Sequence, residues 1–240
     1  MQNRITFEDI SAAEHRGRGV VLETPMLPSP AFGDLVGADI WLKAENLQQT
    51  GSFKIRGAMN AVALLDDGAR GAGVVAASAG NHAQGVALAA AEHGIKATVF
   101  MPEFAAIPKV EATKAYGAEV VLAGSSLAEA TDHALSLVDR TGATFLHPFD
   151  DRTIVAGQGT LGLEMHRQAP GLDTVLVPLG GGGLISGMAI AMKHLNPSIQ
   201  LIGVQSAAVP TYVEARVRGV ANEIAPRPTI ADGIAAVSYT

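Results

Sequence analysis

The sequence has no cysteine, a single tryptophan and few aromatic side chains of any kind, 5% of 240 residues. Without cysteine there is no disulfide, no thiolate nucleophile and no Cys-ligated zinc. Charge is also sparse, at 17%, and 17 Lys and Arg against 23 Asp and Glu leave a net charge of −6. No basic run interrupts this balance, which argues against a nucleic-acid or anionic-membrane surface. The N-terminal stretch MQNRITFEDISAAEHRGRG carries charges throughout and has no apolar segment, so it does not read as a signal peptide. The longest uncharged run, residues 174–192, contains a proline and four consecutive glycines, which suit a strand, a loop and a helix rather than a membrane span. The cytoplasm is the expected compartment.

What remains is a chain rich in small and apolar residues, 48% hydrophobic with 27 Gly, and long enough for one large or two small domains with a buried core. From residue 72 onward short apolar runs alternate with helical periodicity. Strands are expected at 73–78, 97–102, 119–124, 144–148, 174–178 and 199–206. Between them, Ala83, Val86, Ala87 and Ala90 mark a helix ended by Gly94. Further helices are expected over 108–116, 127–140 (capped by Ser125 or Ser126), 153–168 and 184–195. This alternation predicts an α/β fold of parallel sheets covered by helices on both faces. The loop HPFDDRT, residues 147–153, is the expected crossing between two lobes. The segment 207–240 is irregular, with X-Pro breaks near 226–228, and no internal repeat or low-complexity tract is visible.

Ligands of such sheets collect where strands end and helices begin. Two junctions stand out. In SAGNH, Ser78 to His82, small residues leave backbone N–H groups accessible at a helix start and Asn81 adds an amide; an ordinary strand-to-helix turn is the other reading. In GGGGLISG, Gly180 to Gly187, four glycines leave four N–H groups unobstructed at another helix start. Each helix start carries about half a positive charge and is a ready anion site. The glycine loop is not a dinucleotide fingerprint, because Ile185 or Ser186 stands where the third glycine belongs. Nor is it a Walker A loop, because Met188 and Ala189 replace the Lys and Ser/Thr of that motif.

Lys54, in TGSFKIRGAMN, has two readings. It is a solvated helix-face lysine, or it is a lysine in an apolar pocket, where a lowered pKa makes it a nucleophile able to form a Schiff base. One phosphate site, one carboxylate site and one nucleophilic lysine together suit an amino acid bound to pyridoxal phosphate, with Gly180 to Gly183 taking the phosphate and Ser78 to His82 the carboxylate. His15, His93, His133, His166 and His194 read as surface or helix-end residues, and Trp41 as a core or interface residue. His82 reads equally as a site residue or a bystander, and Glu164 and Asp232 as groups that could support the site from behind the residues that touch the ligand.

The segments TGSFKIRGAMNAV, ASAGNHAQGVALA, AGQGTLGLE and VPLGGGGLISGMA occur in this order and resemble the threonine/serine dehydratase branch of the fold-type II, tryptophan-synthase β-like pyridoxal-phosphate enzymes, from about residue 20 to 234. The resemblance implies a two-lobed fold, with residues 1–68 and 148–240 in a large cofactor lobe and 72–147 in a smaller substrate-loop lobe. It places the Schiff-base lysine on Lys54 and a ring-stacking residue on Phe53. The contact to the cofactor's 3-hydroxyl falls on Asn81 and the phosphate loop on Gly180, Gly181, Gly182, Gly183 and Leu184. The substrate-carboxylate loop falls on Ser78, Ala79, Gly80, Asn81 and His82. The implied reaction is β-elimination: threonine displaces Lys54 from the cofactor, the freed Lys54 amine takes the Cα proton, the β-hydroxyl leaves as water after protonation through the cofactor phosphate, and hydrolysis of the product gives 2-oxobutanoate and ammonia; serine would give pyruvate. Related serine racemases carry a second base, a serine, where this chain has Ala79, which favours elimination. They also bind a divalent cation through carboxylates where this chain has Gln205 and Thr211, so no metal site is expected.

The implied partners are a small amino-acid substrate and further copies of the chain as a homodimer or homotetramer, with neither nucleic acid nor membrane. The family continues past Ala231 to Gly233, and its residue meeting the pyridine nitrogen lies beyond that point. A fragment of a longer protein, or a shortened form, is therefore expected, without support for isoleucine feedback through a C-terminal regulatory domain. Two alternatives stay open: another type II enzyme, such as a racemase or β-replacement synthase, and an inactive fragment serving as a folded or subunit-binding module.

Overall fold

A computed structural model describes residues 4–219 and 227–235. The first helix, α1 (Phe7–Arg16), opens with a capping box: Thr6 Oγ1 accepts from the N–H of Asp9, and the Asp9 carboxylate accepts from the N–H of Thr6. β1 (Met26–Pro28), α2 (Pro30–Val36) and β2 (Trp41–Lys43) follow. β1 and β2 pair antiparallel, Met26 opposite Lys43 and Pro28 opposite Trp41. The alternation read from residue 72 onward gave no sign of this hairpin, whose strands of three residues, set among prolines, are too short to show a period of two. Of the two readings of Trp41, the core one is set aside: it lies on β2 at 46% exposure.

Next come α3 (Lys54–Ala63), α4 (Asp67–Ala72), β3 (Val74–Ala77), α5 (Asn81–Glu92), β4 (Ala97–Met101), α6 (Ile107–Ala115), β5 (Glu119–Leu122), α7 (Leu127–Thr141) and β6 (Thr144–Phe145). The four strands form one parallel sheet in the order β5-β4-β3-β6. Every position of β3 and β4 is buried, as parallel strands covered on both faces require. Ser126 caps α7 by accepting from the N–H of Glu129, and Gly142 ends that helix at φ 73°. The strand expected over 144–148 is shorter than its apolar run. The Leu146 and Pro148 carbonyls accept instead from His82 Nε2 at 2.8 Å and from Lys54 Nζ at 2.7 Å.

The chain then forms α8 (Arg152–Gln168), β7 (Thr174–Pro178), α9 (Gly183–Leu195), β8 (Gln200–Val204) and α10 (Thr211–Arg218), with β7 and β8 parallel, Thr174 opposite Gln200. Short 3₁₀ turns lie at Glu45–Leu47 and Asp232–Ile234. The α/β class with parallel sheets and covering helices is the one the alternation predicts. The X-Pro breaks near 226–228 lie partly outside the described residues.

Helix α8 sets the relation between the later elements, and glycines at its contacts explain how. A Cβ built on Gly157 would lie 2.5 Å from both the carbonyl oxygen of Arg56 and the Cα of Gly57, so α3 rests on bare α8 backbone. One on Gly187 would lie 2.2 Å from the Val155 carbonyl and 2.6 Å from the Gly159 nitrogen, so α9 does the same. Each helical glycine costs about 1 kcal/mol relative to alanine, which these close approaches offset. Gly157→Ala meets backbone rather than a flexible side chain. It is expected to destabilise the chain by about 1–3 kcal/mol, measured as a lower urea midpoint at unchanged slope.

Candidate functional site

Lys54 occupies the first position of α3. Phe53 is the N-cap, and the N–H of Lys54 donates to Ser52 Oγ at 3.4 Å. Its amine donates to the Pro148 carbonyl and stands 5.3 Å from the centre of the Phe53 ring. Among the described residues it has no carboxylate partner. Burial alone lowers its pKa from 10.5 to about 8. The solvated-face reading of this lysine does not describe the geometry.

Lys54 shares a cleft with Phe53, Pro148, Phe149, Gln158 and the loop Gly180 to Leu184. That loop opens α9, and Gly182 adopts φ 91°, a conformation suited to glycine. A Cβ on Gly181 would fall 2.1 Å from the Phe149 ring, and one on Gly182 1.9 Å from the Tyr212 hydroxyl. Tyr212 donates that hydroxyl to the Gly181 carbonyl at 2.9 Å. The N–H groups of Gly180 to Leu184 find no hydrogen-bond acceptor among the described residues. A row of unused N–H groups at a helix start, facing a desolvated amine, is the donor set a phosphorylated aldehyde requires. The residues present fit pyridoxal phosphate.

Ser78 to His82 join β3 to α5 and do not line that cleft. Ser78 Oγ accepts from the N–H of Gly80 at 3.2 Å, and Asn81 is exposed at the start of α5. Helix α5 lies against the start of α3, since a Cβ on Gly85 would sit 3.1 Å from the Lys54 carbonyl carbon. His82 is fully buried, and its Nε2 donates to the Leu146 carbonyl. Burial first, then the charge of Lys54, hold its pKa down to about 3, so the ring stays neutral. Its Nδ1 has no partner among the described residues.

Sequence reasoning assigned no role to four residues near the amine. His147 Nδ1 accepts from the N–H groups of Phe149 and Asp150 and shapes the turn that presents the Pro148 carbonyl. Pro148 and Phe149 line the cleft, and their position just beyond β6, at the carboxyl end of a parallel strand, was the available signal. Gln158 is the fourth, an amide between two glycines of a buried helix face.

Behind the site lies a buried ionic group that joins distant stretches of chain. The Arg56 guanidinium donates to both Glu45 oxygens at 2.8 Å and reaches Glu164 at 2.8 Å. Lys43 also pairs with Glu164 and donates to Gln168 at 2.8 Å. Glu164, read in the sequence as a group that could support the site from behind, is the hub of this cluster. Gln205 and Thr211 bond to one another at 2.7 Å, and among the described residues no three His, Asp or Glu side chains gather as metal ligands would. No helix among the described residues is long and apolar enough to cross a membrane.

Comparison with known proteins adds independent findings. The family model "Pyridoxal-phosphate dependent enzyme" matches residues 18–239. An L-threonine ammonia-lyase of Thermotoga maritima is 49% identical over 231 residues, covering 96% of this chain, which spans 58% of that relative's length. The processed form of threonine deaminase isoform 2 from Solanum lycopersicum superposes with a TM-score of 0.91 at 36% identity, over 97% of this chain and 64% of the other. A maize serine racemase does so with a TM-score of 0.94 at 36% identity, over 98% and 71%.

Proposed function

Since the chain belongs to the pyridoxal-phosphate dependent enzyme family, we propose that it acts on L-threonine by β-elimination, releasing 2-oxobutanoate and ammonia, and on L-serine to give pyruvate and ammonia. The observation that carries this reading is the desolvated Lys54 amine, without a carboxylate partner among the described residues, in one cleft with the unused N–H groups of the glycine loop.

Pyridoxal phosphate, when bound, supplies an electron sink for the charge left on the amino acid's Cα. The chain's residues divide the remaining work. Lys54 Nζ would hold the cofactor covalently at rest and, as a free amine during turnover, would take the Cα proton. Phe53 gives the cofactor ring an apolar neighbour and Asn81 serves its hydroxyl. The N–H groups of Gly180, Gly181, Gly182, Gly183 and Leu184 take the phosphate. Ser78, Ala79, Gly80, Asn81 and His82 hold the substrate carboxylate, and neutral His82 adds no charge beside the amine. On this reading residues 1–68 and 148–240 form the cofactor lobe and 72–147 the substrate lobe.

The similarity to a serine racemase raises racemisation as the competing outcome. A racemase needs an acid–base group on each face of Cα. The methyl of Ala79, where the resemblance to racemases puts a serine, cannot exchange a proton. The chain also assembles as a dimer or tetramer on this reading. Leu27, Phe32, Leu35, Trp41 and Leu42, exposed on and beside the hairpin, offer an apolar surface for it, and light scattering measures the state.

The test is direct. Purified chain supplied with pyridoxal phosphate is expected to gain a visible absorption band and to release 2-oxobutanoate from threonine. A chain that stays colourless rejects the reading. Colour without release favours an inactive module, and conversion of L- to D-serine favours a racemase.

The pH dependence follows from the amine. Only unprotonated Lys54 attacks an aldehyde, so the rate of cofactor uptake is expected to rise with pH and level off above about 8. Stopped-flow absorbance between pH 6 and 9 checks this, and a flat profile rejects it. Stability has the same sign. Between about 8 and 10.5 the folded chain binds fewer protons at this amine than the unfolded chain, so the amine's contribution to stability grows as pH rises through that window.

A further inference from the structure

Gln158 is buried at 1% exposure on α8 and lines the cleft that holds Lys54 and the glycine loop. Its two amide ends have unequal surroundings. Oε1 accepts from the N–H of Gly57 at 3.2 Å. Gly57 closes the first turn of α3; the Phe53 carbonyl four residues before it accepts from the N–H of Arg56 at 3.0 Å, and the Gln158 oxygen takes the Gly57 N–H, so this bond completes the start of the helix that carries Lys54. The cap also fixes the orientation of the amide, because an N–H can only donate and therefore must face oxygen. Nε2 then carries two hydrogens with no partner among the described residues. Gly57 makes room for the amide, since a Cβ there would lie 2.4 Å from Nε2.

An unsatisfied buried donor is costly, and a side chain needed only as a cap could be a glutamate, which offers the same acceptor without an orphan N–H. The geometry points to a second role for Gln158: its free amide N–H donates to an oxygen of the group that Lys54 anchors, making it a cofactor-binding residue. This rests on the functional reading above. One side chain would then tie the first turn of α3 to the bound cofactor, so that capping Lys54's helix and gripping its cargo are a single act.

The test separates the two ends. Gln158→Glu keeps the acceptor for Gly57 and loses the donor; Gln158→Met loses both without adding charge. Cofactor affinity is read by absorbance titration and apo-chain stability by thermal melting. Both variants are expected to bind pyridoxal phosphate about tenfold or more weakly than the unmodified chain. Gln158→Glu is expected to melt within a few degrees of it in the absence of cofactor, which loss of a structural role would not allow. Unchanged affinity in either variant overturns the proposal, because loss in Gln158→Glu alone would be charge repulsion. Should Gln158→Met fail to fold, Gln158→Leu takes its place in the comparison. If the unmodified chain takes up no cofactor, the functional reading fails and this inference with it; if it binds and the variants bind equally, only this inference fails.

Discussion

Lys54→Ala is expected to remove the visible band of the cofactor-loaded chain and to lower release of 2-oxobutanoate from threonine by about 10³-fold or more. The size of the effect follows from the two tasks proposed for one amine, covalent anchor and base at Cα. Loss of either is severe, and they are lost together. Stability is expected to move the other way. Burial lowers the amine's pKa, and among the described residues no carboxylate pairs with it, so a methyl in its place removes a burden from the folded state. Lys54→Arg isolates the cause, because a guanidinium keeps the charge but offers no neutral amine in the working pH range. It is expected to be as inactive as the alanine variant. Colour and product release surviving in Lys54→Ala would end the proposed chemistry, whatever the family resemblance.

The second large effect is on folding. Arg56→Met is expected to destabilise the chain by about 3–5 kcal/mol, because it strips Glu45 of its two guanidinium bonds and leaves Glu164, in a buried setting, with Lys43 as its remaining cation and Thr24 as a neutral donor. Against a typical domain stability of about 5–15 kcal/mol this is a large fraction. Arg56→Lys is expected to recover only part, since an ammonium cannot form the paired bonds to Glu45 while also reaching Glu164. Urea denaturation of the three chains checks the order. A loss under about 1 kcal/mol in Arg56→Met would show that the cluster contributes little beyond filling space.

These two lysine and arginine side chains also show what sequence reading could reach. Lys54 was legible as a candidate because an amine among Phe53, Ile55 and glycines conflicts with solvation, and because the glycine run was a recognisable anion loop. The structure brings Lys54 and that loop to one cleft. The alternation of β3 to β8 with helices was equally legible; it was plainest at β3 and β4, which are buried at every position, while β7 exposes every second residue.

Arg56 was not legible as a member of a buried ionic cluster. Its partners lie 11 and 108 residues away along the chain, at Glu45 and Glu164, and nothing local announces them. Helix α3 does carry a helical apolar period, with Ile55, Ala58, Met59 and Val62 at i, i+3, i+4 and i+7, but nothing in that period shows that its polar residues Arg56 and Asn60 are buried as well. The shortness of β6 depended on side chains of α3 and α5 claiming the carbonyls that follow it. The glycines of AGQGTLGLE were seen as a marker of kinship, while their physical use, bringing two helices down onto α8, required the packing.

That packing has a consequence for how the molecule can vary. Where two helices meet through side chains, a mutation can be absorbed by a neighbour turning to another rotamer. At Gly157 and Gly187 the meeting surfaces are main chain, and there is nothing to turn. The interval between the start of α3 and the start of α9 is therefore set like the gap of a fixed gauge: it tolerates no gradual adjustment, and any drift in substrate preference has to be worked out in the loops around it.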